Sequence, residues 1–134
     1  FPLKDQVIFY VGPTPSKPGE VFGSGGPTTS GRMDAFAPTL IKMGLRSMIG
    51  KGYRQPSVKE AIIENNGVYF GAIGGAGAMM SNCIKKCEII AFDDLGPEAI
   101  RRLEVENMPL VVIIDSDGND QYILGREDYL STCK

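Results

Sequence analysis

The 134-residue chain has no histidine, no tryptophan and only three cysteines. Without histidine, any proton transfer confined to this chain must do without the side chain that most often performs it. An odd number of cysteines and no basic-then-apolar leader argue against a disulfide framework and for a reducing, cytoplasmic setting. No apolar run approaches the ~20 residues that a membrane span needs. An excess of one charge is lacking too: 14 Lys and Arg face 16 Asp and Glu, a net charge of −2. That excludes a nucleic-acid binder driven by bulk charge, and 43% apolar residues exclude a disordered chain. A soluble single domain over residues 1–134 is expected, burying roughly two thirds of its unfolded surface. The chain opens on Phe1 and runs at once towards a strand pattern, as a chain would that begins inside its domain.

What is present alternates strand and helix signals. Gln6–Val11 is apolar and β-rich, and a loop with three prolines follows it. Met33, Phe36, Ala37, Leu40 and Ile41 fall on one helical stripe that Gly44 ends, with Pro38 either kinking the helix or standing in its first turn. Arg46–Ile49 reads as a short strand, Gln55–Asn65 as a second helix and Val68–Ile73 as a third strand. A small-residue helix is expected over GGAGAMMSNCIKK, a strand over Glu88–Phe92, and a helix over EAIRRLEVEN with Ile100 and Leu103 facing inward. Leu110–Asp115 reads as a buried strand, and Ser116-Asp117-Gly118-Asn119 as a turn into a last short strand. Apolar strands separated by helices predict an α/β domain with a mostly parallel sheet.

Seventeen glycines, about 13% against an average near 7%, are clustered rather than spread. Gly23, Gly25 and Gly26 lead into Pro27-Thr28-Thr29-Ser30-Gly31-Arg32. Three hydroxyls at or near a helix start favour an anion, and Arg32 adds a planar fork suited to a carboxylate. The plainer reading of the same cluster is a Ser/Thr cap on a tight turn. Gly50-Lys51-Gly52 lies at the end of the Arg46–Ile49 strand, where ligands of open α/β sheets bind. Residues 28–54 hold Arg32, Lys42, Arg46, Lys51 and Arg54 against Asp34 alone, a local +4 suited to a small anion. No lysine precedes the hydroxyls, so this is no nucleotide P-loop. In GAIGGAGAMM, Met80 occupies the third glycine position of a dinucleotide fingerprint, so close packing of small residues on another element explains that cluster better. Cys83 and Cys87 stand four apart, one helical turn; a metal there needs further ligands that only Cys133 or carboxylates could supply, and the plainer reading is one small apolar residue at a helix end and another entering a strand.

GPTTSGRMD, MIGKG, GAIGGAGA, DLGPEAIRRLEVEN and IDSDGND, in this order and spacing, resemble the β subunit or C-terminal catalytic domain of class I fumarate hydratases and L(+)-tartrate dehydratases. The resemblance covers essentially the whole chain. It implies a swivelling three-layer β/β/α domain and a hydro-lyase that adds or removes water on a small dicarboxylate. It also implies a 4Fe–4S cluster held by three cysteines of an α-type partner subunit, so that Cys83, Cys87 and Cys133 are not cluster ligands and this chain holds no metal. Carried over by position, Thr28, Thr29, Ser30, Gly31, Arg32 and Lys51 line the dicarboxylate site. Arg32 and Lys51 would clamp carboxylates, and Thr28 would take the proton from carbon, with a nearby cation such as Lys51 lowering its pKa.

The sequence departs from the family in two places. An ARDAAH-like run that the family usually carries ahead of this starting point is missing, which implies a truncated or differently split chain. Tyr53 stands after GKG where the family often has Asn. Besides the catalytic half of an oligomeric hydro-lyase, two other classes fit the isolated sequence: a non-catalytic anion-binding module and a partner subunit that only covers another chain's cluster. Partners in nucleic acid or membrane are not expected.

Overall fold

The computed structural model describes residues 3–11, 18, 30–71 and 82–124, without the side chains of Arg32, Pro97 and Glu98. In chain order the elements are β1 Val7–Phe9, α1 Ala37–Lys42, β2 Ser47–Gly50, α2 Pro56–Glu64, β3 Val68–Gly71, β4 Ile84–Ala91, β5 Ile100–Val105 and β6 Val111–Ile114. Short 3-10 turns cover Gly31–Met33 and Asp93–Glu98. Two compact units form: one from Phe1–Tyr10, Thr29–Gly71 and Val111–Lys134, the other from Val11–Thr28 and Ala72–Leu110.

The first unit is a four-stranded sheet in the order β1-β2-β3-β6. β1 and β3 flank β2 in parallel, with Val7 opposite Ser47 and Ser47 opposite Val68, while β6 runs antiparallel beside β3. The expected α/β class with a mostly parallel sheet is what forms. All four residues of β2 are buried, as a central strand covered on both faces requires. α1 starts at Ala37, so Pro38 stands in its first turn, where a missing N–H costs nothing. Gly44, at φ 112°, ends the helix in the left-handed region. In α2, Val58, Ala61 and Ile62 form the buried stripe. They join Ala37, Ile41, Leu45, Met48, Tyr69, Ile113 and Ile114 in one core.

Three expectations fail here. The segment read as a helix over EAIRRLEVEN is the strand β5, paired antiparallel with β4 through Cys87 opposite Leu103 and Glu88 opposite Arg102. Ile100 and Leu103 happen to sit at helical spacing, but Gly96 at φ 58° turns the chain back onto β4. Charge pairs across the two strands, Lys86 to Glu104 at 3.6 Å and Arg102 to Glu88 at 3.7 Å, then decorate the exposed face. For the same reason Ile84, Lys85 and Lys86 lie in β4 rather than ending a helix, and that strand begins earlier than Glu88. Third, residues 121–124 turn helical instead of forming a last strand. Asp120 makes a single bridge to Ile114, and its carboxylate then accepts the Tyr122 amide at 3.0 Å, starting a helical turn. The expected turn over Ser116–Asn119 is present, closed on the Asp115 carboxylate by the amides of Asp117 and Asn119. The glycine cluster after Gly71 lies outside the described residues.

Candidate functional site

Parallel pairing makes β1, β2 and β3 finish on one sheet edge, at Phe9, Gly50 and Gly71. The residues that follow β2 are Lys51, Gly52, Tyr53 and Arg54. Into this edge the chain brings the turn that opens at Ser30. The Ser30 amide donates to the Lys51 carbonyl at 3.0 Å, and a Cβ placed on Gly31 would stand 3.5 Å from the Tyr53 carbonyl. Two segments that lie 20 residues apart in the sequence, the turn opening at Ser30 and the Gly-Lys-Gly loop, are thus joined through their backbones.

Ser30 is fully buried and its side chain makes no cap on the 3-10 turn that follows it. Its hydroxyl instead lies 3.0 Å from Tyr69 Oη, which is also 3.1 Å from the Gly52 carbonyl. A carbonyl can only accept, so with Tyr69 donating to Gly52 the Ser30 hydroxyl donates to Tyr69. Gly50 makes room for this contact, because a Cβ there would overlap Ser30 Oγ. The other face of the loop meets Tyr122, whose hydroxyl accepts the Gly52 amide at 3.4 Å and whose ring centroid lies 5.1 Å from that of Tyr53. Lys59 of α2 fixes the Tyr122 turn through Asp120, at 2.7 Å. Lys51 and Tyr53 are exposed, while Ser30 and Gly31 sit behind them.

Beneath the loop lies a buried ion pair. Arg54 Nε donates to Asp34 Oδ1 at 2.6 Å, and Asp34 Oδ2 accepts the Gln55 amide at 2.7 Å at the start of α2. The guanidinium lies over the rings of Tyr69, at 4.8 Å, and Tyr10, at 5.6 Å. The Arg54 charge thus lies in the interior beside these two aromatic rings. The local +4 read from the sequence is therefore not all available to a ligand. Arg54 answers Asp34 in the interior and Arg46 answers Asp5 at the surface, 2.7 Å away.

Of the residues expected to bind substrate, Ser30, Gly31 and Lys51 come together at this edge. Arg32 follows in the Gly31–Met33 turn, where its backbone is described and its side chain is not. Thr28 and Thr29 lie outside the described residues. Sequence reasoning missed Asp34, Tyr69 and Tyr122 and took Arg54 for a ligand-facing charge. One signal was available: Asp34 is the sole acid among five bases in residues 28–54.

Burial pushes the phenols of Tyr69 and Tyr10 above the usual tyrosine range, partly offset by the Ser30 hydrogen bond at Tyr69 and by the Arg54 charge at both. The folded protein therefore holds these protons more tightly than the unfolded chain. That stability is whole below pH ~10 and is lost as pH rises through the raised folded values. Urea midpoints measured from pH 8 to 11.5 should stay level and then fall above pH ~10. With phenylalanine at both positions, that alkaline fall should shrink.

Comparison with known proteins decides the family. The family model described as "Fumarase C-terminus" matches residues 1–124. The chain belongs to the fumarase C-terminus family. It is 42% identical over 120 residues to the Leishmania major protein named mitochondrial fumarate hydratase 1, covering 88% of this chain and 22% of that one. It is 40% identical over 120 residues to the aerobic class I fumarate hydratase of Escherichia coli K12, again covering 88% of this chain and 22% of that protein. A putative L(+)-tartrate dehydratase subunit beta from Methanocaldococcus jannaschii is 37% identical over 128 residues, covering 91% of this chain and 66% of its own. The chain thus spans about a fifth of the length of these two fumarate hydratases.

The described part of this family member does not itself fit an iron–sulfur cluster. Among the described residues no group of three His, Cys, Asp or Glu side chains could hold a metal. Cys87 lies within β4 and Cys83 in the turn directly before it. The pair does not share a helical turn, and Cys87 stands in a strand as the plainer reading of the sequence has it. Burial raises the Cys87 thiol above its ordinary range. No helix among the described residues is long and apolar enough to cross a membrane.

Proposed function

We propose that this chain is the β-type, C-terminal part of a hydro-lyase that reversibly adds or removes water on a small dicarboxylate such as fumarate, malate or tartrate. The observation that supports the proposal is the backbone bond from Ser30 to Lys51, which ties the turn opening at Ser30 to the Gly-Lys-Gly loop at the carboxyl edge of the sheet. In this reading Arg32 forks onto one carboxylate and Lys51 contributes a second positive charge. Thr28 takes the proton from carbon. A threonine hydroxyl is a weak base unaided, and the Lys51 ammonium lowers its pKa. Thr29 and Gly31 complete the lining, and Ser30 joins the lining to the loop.

The 4Fe–4S cluster belongs to an α-type part that completes the site, and this chain holds none of its ligands. The assembled enzyme is an oligomer in a reducing compartment, the cytoplasm, a setting in keeping with an odd number of cysteines. A single domain over residues 1–134 remains the proposed unit of assembly with that partner.

The test is anaerobic purification of the chain alone and together with its α-type part. The lone chain is expected to carry no stoichiometric iron and to leave fumarate, L-malate and L(+)-tartrate unchanged. The assembled pair is expected to turn over at least one of them. A cluster bound by the lone chain through Cys83 or Cys87, or a loaded pair inert towards all three diacids, would overturn the reading.

A further inference from the structure

We infer that Tyr69 is a positioning residue for Lys51, acting with Tyr122 through the Gly52 peptide; this rests on the reading above that Lys51 contacts the dicarboxylate. Lys51 is exposed, and a four-carbon ammonium side chain on a glycine-flanked loop has many conformations to lose on binding. The two peptides that follow it are nevertheless tied. The Lys51–Gly52 peptide is held at both ends, its carbonyl accepting the Ser30 amide at 3.0 Å and its amide donating to Tyr122 at 3.4 Å. The next, Gly52–Tyr53, is held by Tyr69, which donates to its carbonyl at 3.1 Å. Gly52 stands at φ 94°, a conformation that side-chain-bearing residues rarely adopt, so the loop depends on these bonds to keep one path.

The three ties are unequal. The Tyr122 contact is the longest, and its residue is half-buried, whereas Tyr69 is fully buried and reaches two groups at once. Tyr69 bonds the loop through Gly52 and the turn through Ser30, so beside the direct Ser30–Lys51 backbone bond one phenol braces the two segments that would hold the substrate. It touches no reacting atom in this reading. Its contribution is the aim of the Lys51 backbone and the distance from that loop to Ser30.

The experiment is a double-mutant cycle in the assembled enzyme, reading kcat/KM with fumarate, L-malate and L(+)-tartrate as probes. Tyr69→Phe keeps the buried ring and removes the hydroxyl. It is expected to lower kcat/KM by roughly 10- to 30-fold, and Tyr122→Phe by roughly 3- to 10-fold. Lys51→Met should lower it by more than about 100-fold. In the Lys51→Met background, Tyr69→Phe should change kcat/KM by less than about 2-fold, because its effect passes through Lys51. A merely structural tyrosine would give the same fold-loss in both backgrounds, and that result overturns the inference while leaving the reading of Lys51 intact. A wild-type rate in Tyr69→Phe overturns it too. If Lys51→Met is harmless, the proposed function itself has failed, which is a different outcome. Should Tyr69→Phe not assemble, Tyr122→Phe runs the same cycle on a half-buried side chain, and an equal loss in both backgrounds or a wild-type rate again overturns the inference.

Discussion

Replacing Arg32 by lysine in the assembled enzyme is expected to lower kcat/KM by roughly 30- to 1000-fold, equivalent to about 2–4 kcal/mol of transition-state stabilisation. The substitution keeps the charge and removes the fork. A guanidinium can give two parallel hydrogen bonds to one carboxylate, and an ammonium cannot reproduce that alignment. Arg32 stands in the Gly31–Met33 turn, outside the apolar core, so the fold should survive and the protein should assemble normally. Thr28→Val tests the neighbouring role. Loss of a base affects the transition state more than ground-state binding, so kcat should fall while KM for the diacid stays within about 3-fold. Normal turnover by an assembled Arg32→Lys enzyme would reduce the glycine and hydroxyl cluster to a turn with no ligand.

The second large effect is on stability. Arg54→Met is expected to cost about 3–5 kcal/mol, because it leaves the Asp34 carboxylate buried without its cation. For a chain of this size that lowers the thermal midpoint by roughly 10–20 °C. Asp34→Asn should cost a similar amount, stranding the guanidinium between two tyrosine rings. The surface pair provides the contrast. Arg46 and Asp5 are separated by 2.7 Å, close to the 2.6 Å of the buried pair, yet their side chains are 51% and 58% exposed. Arg46→Met should therefore move the midpoint very little. Equal losses from Arg54→Met and Arg46→Met in a thermal melt would show that burial does not set the worth of these bridges.

These residues also show what was legible in the sequence. α2 could be read because Pro56 opens it, Asn66 and Gly67 close it, and Val58, Ala61 and Ile62 keep helical period between them. β2 and β3 could be read as short apolar runs. β5 could not: Glu, Arg, Leu and Ala are good helix formers, and only pairing with β4 decides the matter. The early start of β4 at Ile84 was missed for the same reason, since that segment takes its conformation from the strand across from it.

At the site, residues that act through local chemistry were visible. The hydroxyls and Arg32 form one short motif, and Lys51 sits between glycines at a strand end. Residues that act through distant partners were not. Tyr69 reaches back 39 positions to Ser30, Tyr122 reaches 70 positions to Gly52, and Arg54 is claimed by an acid 20 positions away. No local pattern encodes those distances. The sheet creates them by ending its parallel strands on one edge.

The most direct measurement of the dicarboxylate site is an anaerobic crystal structure of the assembled, cluster-loaded enzyme with a slow dicarboxylate inhibitor. One carboxylate should be bound in bidentate fashion by Arg32, with an oxygen of the diacid on Lys51, at about 2.7–2.9 Å. A diacid held wholly by the α-type part, with Arg32 and Lys51 turned to solvent, would contradict that assignment.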